Sequence, residues 1–168
     1  LHEPQDIGSY AALAYTAIQS NQNDQHGGQS VPKFDFDMAP GVRKTYIRSY
    51  RQNLQKACEL LCAAADASLE PVFAKLTESG LVPTLEPDEG YVQVERELLM
   101  QALGCDEKAA ESAQRFAQKY SYEETERATY QAMEGLILDL NTMHSRAGAQ
   151  TPFSSLNYGT DTSPEGRM

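Results

Sequence analysis

The sequence predicts a mainly α-helical chain with two or three short strands, and three observations carry that fold class. Apolar residues recur at helical spacing over most of the 168 residues. Period-two alternation is confined to two short stretches, "QSVPKFDFDMAP" and "TPFSSLNYGT", one near each end. Glycine and proline fall largely between the helical segments, where chain reversals belong.

The first helix is expected over Ile7–Asn23. Asp6 suits its N-cap, and Ile7, Tyr10, Ala11, Ala14 and Ile18 form its apolar stripe. The polar run "NQNDQHGG" ends it, with Gly27 and Gly28 supplying the φ freedom of a turn. The alanines of "AALA" are small enough for another helix to approach closely, including one from a partner subunit.

Alternation of Val31, Phe34, Phe36 and Met38 with polar residues predicts an extended segment, which Pro32 confines to an edge. Pro40 suits the start of the next helix, from about Gly41 to Ala65. Its apolar stripe is Tyr46, Tyr50, Leu54, Ala57, Leu61 and Ala64, while Lys44, Arg48 and Arg51 share another face. Shorter helices follow at Leu69–Ser79, Tyr91–Leu103 and Asp106–Tyr120, the first two separated by the proline-broken loop "LVPTLEPDEG". A long helix over Tyr122–Arg146 carries Met133, Leu136, Ile137, Leu140 and Met143 on one side and stops at Gly148. The final strand comes next. On it Phe153, Ser155 and Asn157 face one way, and Ser154, Leu156 and Tyr158 the other.

Two isolated strands cannot make a self-contained sheet, because unpaired N–H and C=O groups need partners. Either they pair with each other or they belong to a larger sheet or barrel. In this reading residues 1–168 are a single partial domain in four stretches. Residues 1–30 are the first helix and its glycine turn, and 31–65 a strand plus the basic helix. Residues 66–121 form an acidic helical insertion, and 122–168 the long helix with the last strand.

A net charge of −10 argues against general attraction to nucleic acid or to an anionic membrane surface. No apolar run approaches the roughly 18–20 residues of a membrane span. Within the acidic chain, Lys33, Arg43, Lys44, Arg48, Arg51 and Lys56 form a basic island opposed only by Asp35 and Asp37. That island suits a compact polyanion such as a triphosphate, or else a solvated helix face paired with acids from elsewhere. Cys58, Cys62 and Cys105 have neither disulfide-framework nor metal-ligand spacing, and are expected to be reduced structural thiols of a cytoplasmic protein.

Catalytic patterns are scarce. Ser154, Ser155 and His144 lack a G-x-S-x-G elbow, so a hydrolase is disfavoured. Gly27-Gly28-Gln29-Ser30 is glycine-rich but fits neither a P-loop nor a dinucleotide fingerprint, and His26 beside it suits either a phosphate or, as the better reading, a cap on the helix end. The paired acids Asp88-Glu89 and Glu123-Glu124 read as a loop and a solvated helix start. The last strand is richer: Ser154, Ser155 and Asn157 offer hydroxyl and amide groups, and Gly159 permits close backbone approach.

At "NQNDQHGGQSVPKFDFDMAPGVRKTY" and "NTMHSRAGAQTPFSSLNYGTDTSPEGR" the chain resembles the anaerobic (class III) ribonucleoside-triphosphate reductases, oxygen-sensitive glycyl-radical enzymes. The resemblance spans nearly the whole chain and is weakest in the acidic helices between Asp66 and Tyr120. It implies an internal piece of a ten-stranded α/β barrel with its interface helices, assembled as a homodimer in the parent enzyme. Ribonucleoside triphosphates would be its substrates and deoxynucleoside triphosphates or ATP its effectors. The radical would be installed by an iron–sulfur, S-adenosylmethionine-dependent activating enzyme, with no cofactor in this segment. None of the three cysteines matches a catalytic motif of the family, and no glycyl-radical motif is present, so the segment alone is expected to be inactive. The first helix and glycine turn match the region of dimer contact and effector specificity, and the last strand a wall near the substrate chamber. Lys44, Arg48 and Arg51 are candidates for effector phosphates on charge alone. Two rival readings are a stand-alone helical interaction module and a small nucleotide-binding regulatory protein.

Overall fold

The computed structural model describes residues 2–24, 27–64, 66–142 and 153–168. Its elements are α1 (Ile7–Asp24), β1 (Gln29–Val31), α2 (Phe34–Leu61), α3 (Glu70–Glu78), α4 (Glu89–Leu103), α5 (Glu107–Thr142), β2 (Ser154–Leu156) and α6 (Pro164–Arg167). The mainly helical class holds. The chain divides into two compact units, residues 1–45 with 126–168, and residues 46–125. No helix among the described residues is long and apolar enough to cross a membrane.

In the first unit α1 opens as its sequence directs, with Asp6 Oδ1 accepting the Ser9 N–H at 2.8 Å. The Ile7 N–H is taken by the Thr45 hydroxyl on α2 at 2.9 Å, and that hydroxyl donates to the Gly41 carbonyl. The two helices touch at Gly41, where a Cβ would lie 2.9 Å from the Tyr10 ring and 3.1 Å from the Ile7 Cα. Glycine is required there by proximity, not by φ. The strands pair with each other in parallel, in the register Gln29↔Ser154, Ser30↔Ser155 and Val31↔Leu156.

The extended segment expected over Val31–Met38 is a correction. Only Val31 is strand, and α2 begins at Phe34. Phe34 and Met38 also fit a four-residue spacing that continues to Val42, and all three are buried while Phe36 is 46% exposed. Pro40 therefore lies inside the helix, not at its start. Its missing N–H removes the bond that the Phe36 carbonyl would otherwise accept within the helix.

In the second unit Tyr46, Tyr50, Leu54 and Ala57 are buried as expected, but Leu61 is 48% exposed. The helix stops at Leu61 instead of Ala65 because Ala63 adopts a left-handed φ of 49°. Asp88 caps α4 by accepting the Tyr91 N–H at 2.8 Å, so the helix starts at Glu89, and Gly104 closes it at φ 63°. The helices expected at Asp106–Tyr120 and Tyr122–Arg146 are one, α5, running through a wholly buried Ser121. Asn53 of α2 donates to that serine at 3.1 Å and to Glu124 at 2.9 Å. Ala110, Ala113 and Ala117 are fully buried on α5, and small side chains let α4 approach until Gln114 donates to the Val92 carbonyl at 2.9 Å. Met143, His144 and Arg146 lie outside the described residues.

Candidate functional site

The strand pair joins the two stretches that the sequence singled out. Gly27, at φ 114°, turns the chain into β1, and the Gln29 N–H donates to the Phe153 carbonyl at 2.8 Å. A Cβ on Gly28 would sit 3.4 Å from that carbonyl oxygen, so the turn lies against β2. At the other end Asn157 donates its N–H to Val31 at 3.0 Å and accepts that of Phe34 at 2.9 Å. One residue's backbone thereby bridges the end of β1 to the start of α2.

Alternation divides the side chains between two faces. Ser30, Ser155 and Asn157 are exposed, whereas Gln29, Val31, Ser154 and Leu156 are half-buried. On the exposed face the Asn157 amide donates to Ser30 Oγ at 3.4 Å, and Ser155 Oγ donates to Asn157 Oδ1 at 3.3 Å. Phe153 and Tyr158 flank this row, both about four-fifths exposed. Ser154 is on the opposite face from Ser155 and Asn157. Gln29 donates its side-chain amide to the Ile18 carbonyl at 3.0 Å and so anchors the turn to α1. His26 lies outside the described residues.

The turn after β2 is set by Asp35, which the sequence reading noted only as an acid beside the basic island. Asp35 Oδ2 accepts the N–H groups of Gly159, Thr160 and Asp161 at 2.9, 2.8 and 2.7 Å, while Oδ1 accepts that of Phe36 at 3.0 Å. These bonds, the Asp161 N–H foremost, outweigh desolvation and hold the carboxyl below its ordinary range. Asp161 in turn accepts the Ser163 N–H at 2.8 Å, and Ser163 Oγ accepts that of Gly166 at 3.1 Å. Arg43 pairs with the buried Glu165 at 3.0 Å. Two acids in the first turn of α2 were the available clue, since a helix N-terminus tolerates negative charge.

The basic residues have partners of their own. Lys44 donates to Glu3 at 2.6 Å and to the Pro4 carbonyl at 2.8 Å; the pairing draws Glu3 down and Lys44 up. Arg51 donates to Thr77 at 3.1 Å and covers the Phe73 ring at 5.4 Å, with its Nε buried and unpartnered. Arg48 is exposed. Lys44 belongs to the first unit, Arg48 and Arg51 to the second.

The second unit also buries a carboxylate. Glu95 accepts the Tyr50 hydroxyl at 2.6 Å, the Tyr91 hydroxyl, and the Gln114 amide at 2.9 Å. Desolvation exceeds these three bonds and raises its pKa. The three cysteines are free; burial pushes the Cys58 thiol up, and pushes Cys62, next to Cys105, to about 11. Among the described residues no group of His, Cys, Asp and Glu is arranged to hold a metal ion.

A family model described as anaerobic ribonucleoside-triphosphate reductase matches residues 1–168, the full length of the chain. No curated protein matches the sequence.

Proposed function

The chain belongs to the anaerobic ribonucleoside-triphosphate reductase family, and from that premise we propose that it supplies nucleotide-contacting wall to an enzyme reducing ribonucleoside triphosphates to deoxyribonucleotides. The contact surface is the exposed row Ser30, Ser155 and Asn157, with Gly28 at its end. The observation that carries this reading is the parallel pairing of β1 with β2. It brings Ser30 and Asn157, 127 positions apart in sequence, within hydrogen-bonding distance. Hydroxyls that donate and accept, beside a carboxamide, suit the hydroxyls of a ribose and the oxygens of a phosphate. Gly28 has no side chain to hold a ligand off. Ser154, on the other face, takes a supporting role in this reading.

Effector binding is assigned to His26, Gly27, Gly28 and Gln29; Lys44, Arg48 and Arg51 are independent candidates for effector phosphates on charge alone. α1 is assigned to the homodimer contact, on which Leu13 stands 48% exposed. The radical, installed by an S-adenosylmethionine-dependent activating enzyme, supplies the one-electron chemistry; the residues here bind and orient the nucleotide.

The test is steady-state kinetics of the intact enzyme carrying Asn157→Ala. Losing one side chain's hydrogen bonds to substrate, worth about 1 kcal/mol, should raise KM or lower turnover by roughly fivefold. Unaltered KM and turnover would remove Asn157 from the site.

A further inference from the structure

Asn157 is only loosely held by its own side chain. Its amide reaches Ser30 Oγ at 3.4 Å and its Oδ1 takes the Ser155 hydroxyl at 3.3 Å, both at the long end for hydrogen bonds. Its place in the exposed row is therefore decided by its backbone. Toward β1 the Asn157 N–H donates to the Val31 carbonyl at 3.0 Å, and toward α2 its carbonyl accepts the Phe34 N–H at 2.9 Å.

Asp35 extends the second of these grips. Its Oδ2 gathers three consecutive N–H groups, those of Gly159, Thr160 and Asp161, at 2.7–2.9 Å. Successive N–H groups converging on one point make a concavity that favours an anion, and a carboxylate bonds to them about twice as strongly as a neutral acceptor. Gly159 enters this turn at φ 96°, a conformation that side-chain-bearing residues rarely adopt. Asp35 itself is 6% exposed, and Oδ1 is engaged by the Phe36 N–H. A buried anion with both oxygens engaged is no partner for a triphosphate, so Asp35 acts on a ligand through the residues it holds.

We propose that Asp35 is a positioning residue for nucleotide binding, and that it sets Asn157 by way of the turn at 159–161. The inference rests on the reading of Ser30, Ser155 and Asn157 as nucleotide wall. It adds a residue outside that wall on which the wall's affinity depends.

The test is calorimetric titration of the intact enzyme with a ribonucleoside triphosphate, on wild type, Asp35→Asn, Asn157→Ala and the double variant. Calorimetry separates positioning from mere stability, because unfolded enzyme lowers the number of sites whereas a displaced Asn157 raises Kd. Asn157→Ala should raise Kd roughly fivefold, and Asp35→Asn by nearly as much. The double variant should bind no more weakly than Asn157→Ala alone, in place of the roughly 25-fold that two independent effects would give. If Asn157→Ala weakens binding while Asp35→Asn keeps the wild-type Kd, with or without a loss of sites, the proposal is overturned and the wall stands. Effects that multiply in the double variant also overturn it, since Asp35 would then act without Asn157. An Asn157→Ala enzyme of wild-type affinity removes the wall, and the proposal with it. If Asp35→Asn does not fold, Gly159→Ala, which strains the same turn, takes its place in the cycle with the same outcomes.

Discussion

The Asp35 carboxylate accepts the Asp161 N–H at 2.7 Å across 126 positions of sequence, and two neighbouring N–H groups share the same oxygen. The first turn of α2 thereby fixes the turn that follows β2, and with it the end of the strand that carries Ser155 and Asn157.

Asp35→Asn should loosen that turn, because an amide presents one acceptor oxygen where the carboxylate presents two charged ones. The folded-state pKa of Asp35 is depressed. Its stabilisation is therefore fully present above the ordinary value of 3.8 and is lost as pH falls through the lower folded value. Thermal melts between pH 2 and 7 should show a lower Tm for the variant at neutral pH and a shallower acid decline. Coincident curves would show that the carboxylate contributes nothing.

Glu95 has the opposite sign. Its folded-state pKa is raised from 4.5, so the folded chain holds the proton more tightly than the unfolded one. Its contribution to stability is greatest below 4.5 and falls as pH rises through the folded value. Glu95→Gln keeps one acceptor oxygen for Tyr50 and Gln114, turns its NH2 toward the Tyr91 hydroxyl, which can accept, and removes the charge, so it should raise Tm at neutral pH and flatten that decline. A lower Tm at every pH would mean that the hydrogen bonds to the carboxylate outweigh its burial.

Gly41→Ala and Gly166→Ala test close approach. At Gly41 the added methyl meets the Tyr10 ring and the Ile7 backbone, and at Gly166 it overlaps the Asp161 carboxyl. Overpacking at such contacts costs about 1–3 kcal/mol, which should appear as a Tm lower by several degrees for each variant. Gly135→Ala, where nothing lies within 4 Å of the added carbon, is the control and should not fall.

Several of these features were legible in the sequence and others could not have been. Asp6 as a cap, the glycine turn and the stripe Tyr46–Ala57 are local patterns, and they appear where the periodicity put them. Phe34–Met38 misled because alternate and four-residue spacings coincide there, and only burial distinguishes them. Ser121 read as a break between helices because a serine in an apolar pattern is ordinarily solvated; Asn53, 68 positions away, supplies the partner that lets it be buried. The pairing of Ser30 with Ser155 and the Asp35 clasp are non-local in the same way. Residue types flagged both strands as polar, but no local pattern says that one lies beside the other.

The basic residues separate structural from functional roles. Arg51→Ala removes the cover over Phe73 and the bond to Thr77, so it should lower Tm. In the intact enzyme Arg48→Ala and Arg51→Ala together should also weaken the response of substrate choice to effector deoxynucleotides. Unchanged specificity alongside a lower Tm would leave Arg51 with its structural role alone.

Calorimetric titration of the intact enzyme with a ribonucleoside triphosphate, comparing wild type with the Ser155→Ala, Asn157→Ala double variant, tests the nucleotide wall most directly. Loss of the two exposed polar side chains should weaken substrate binding by roughly tenfold, on the order of 1.4 kcal/mol, with the melting temperature unchanged. Equal affinity in the two proteins would contradict the assignment and leave the strand pair as scaffold.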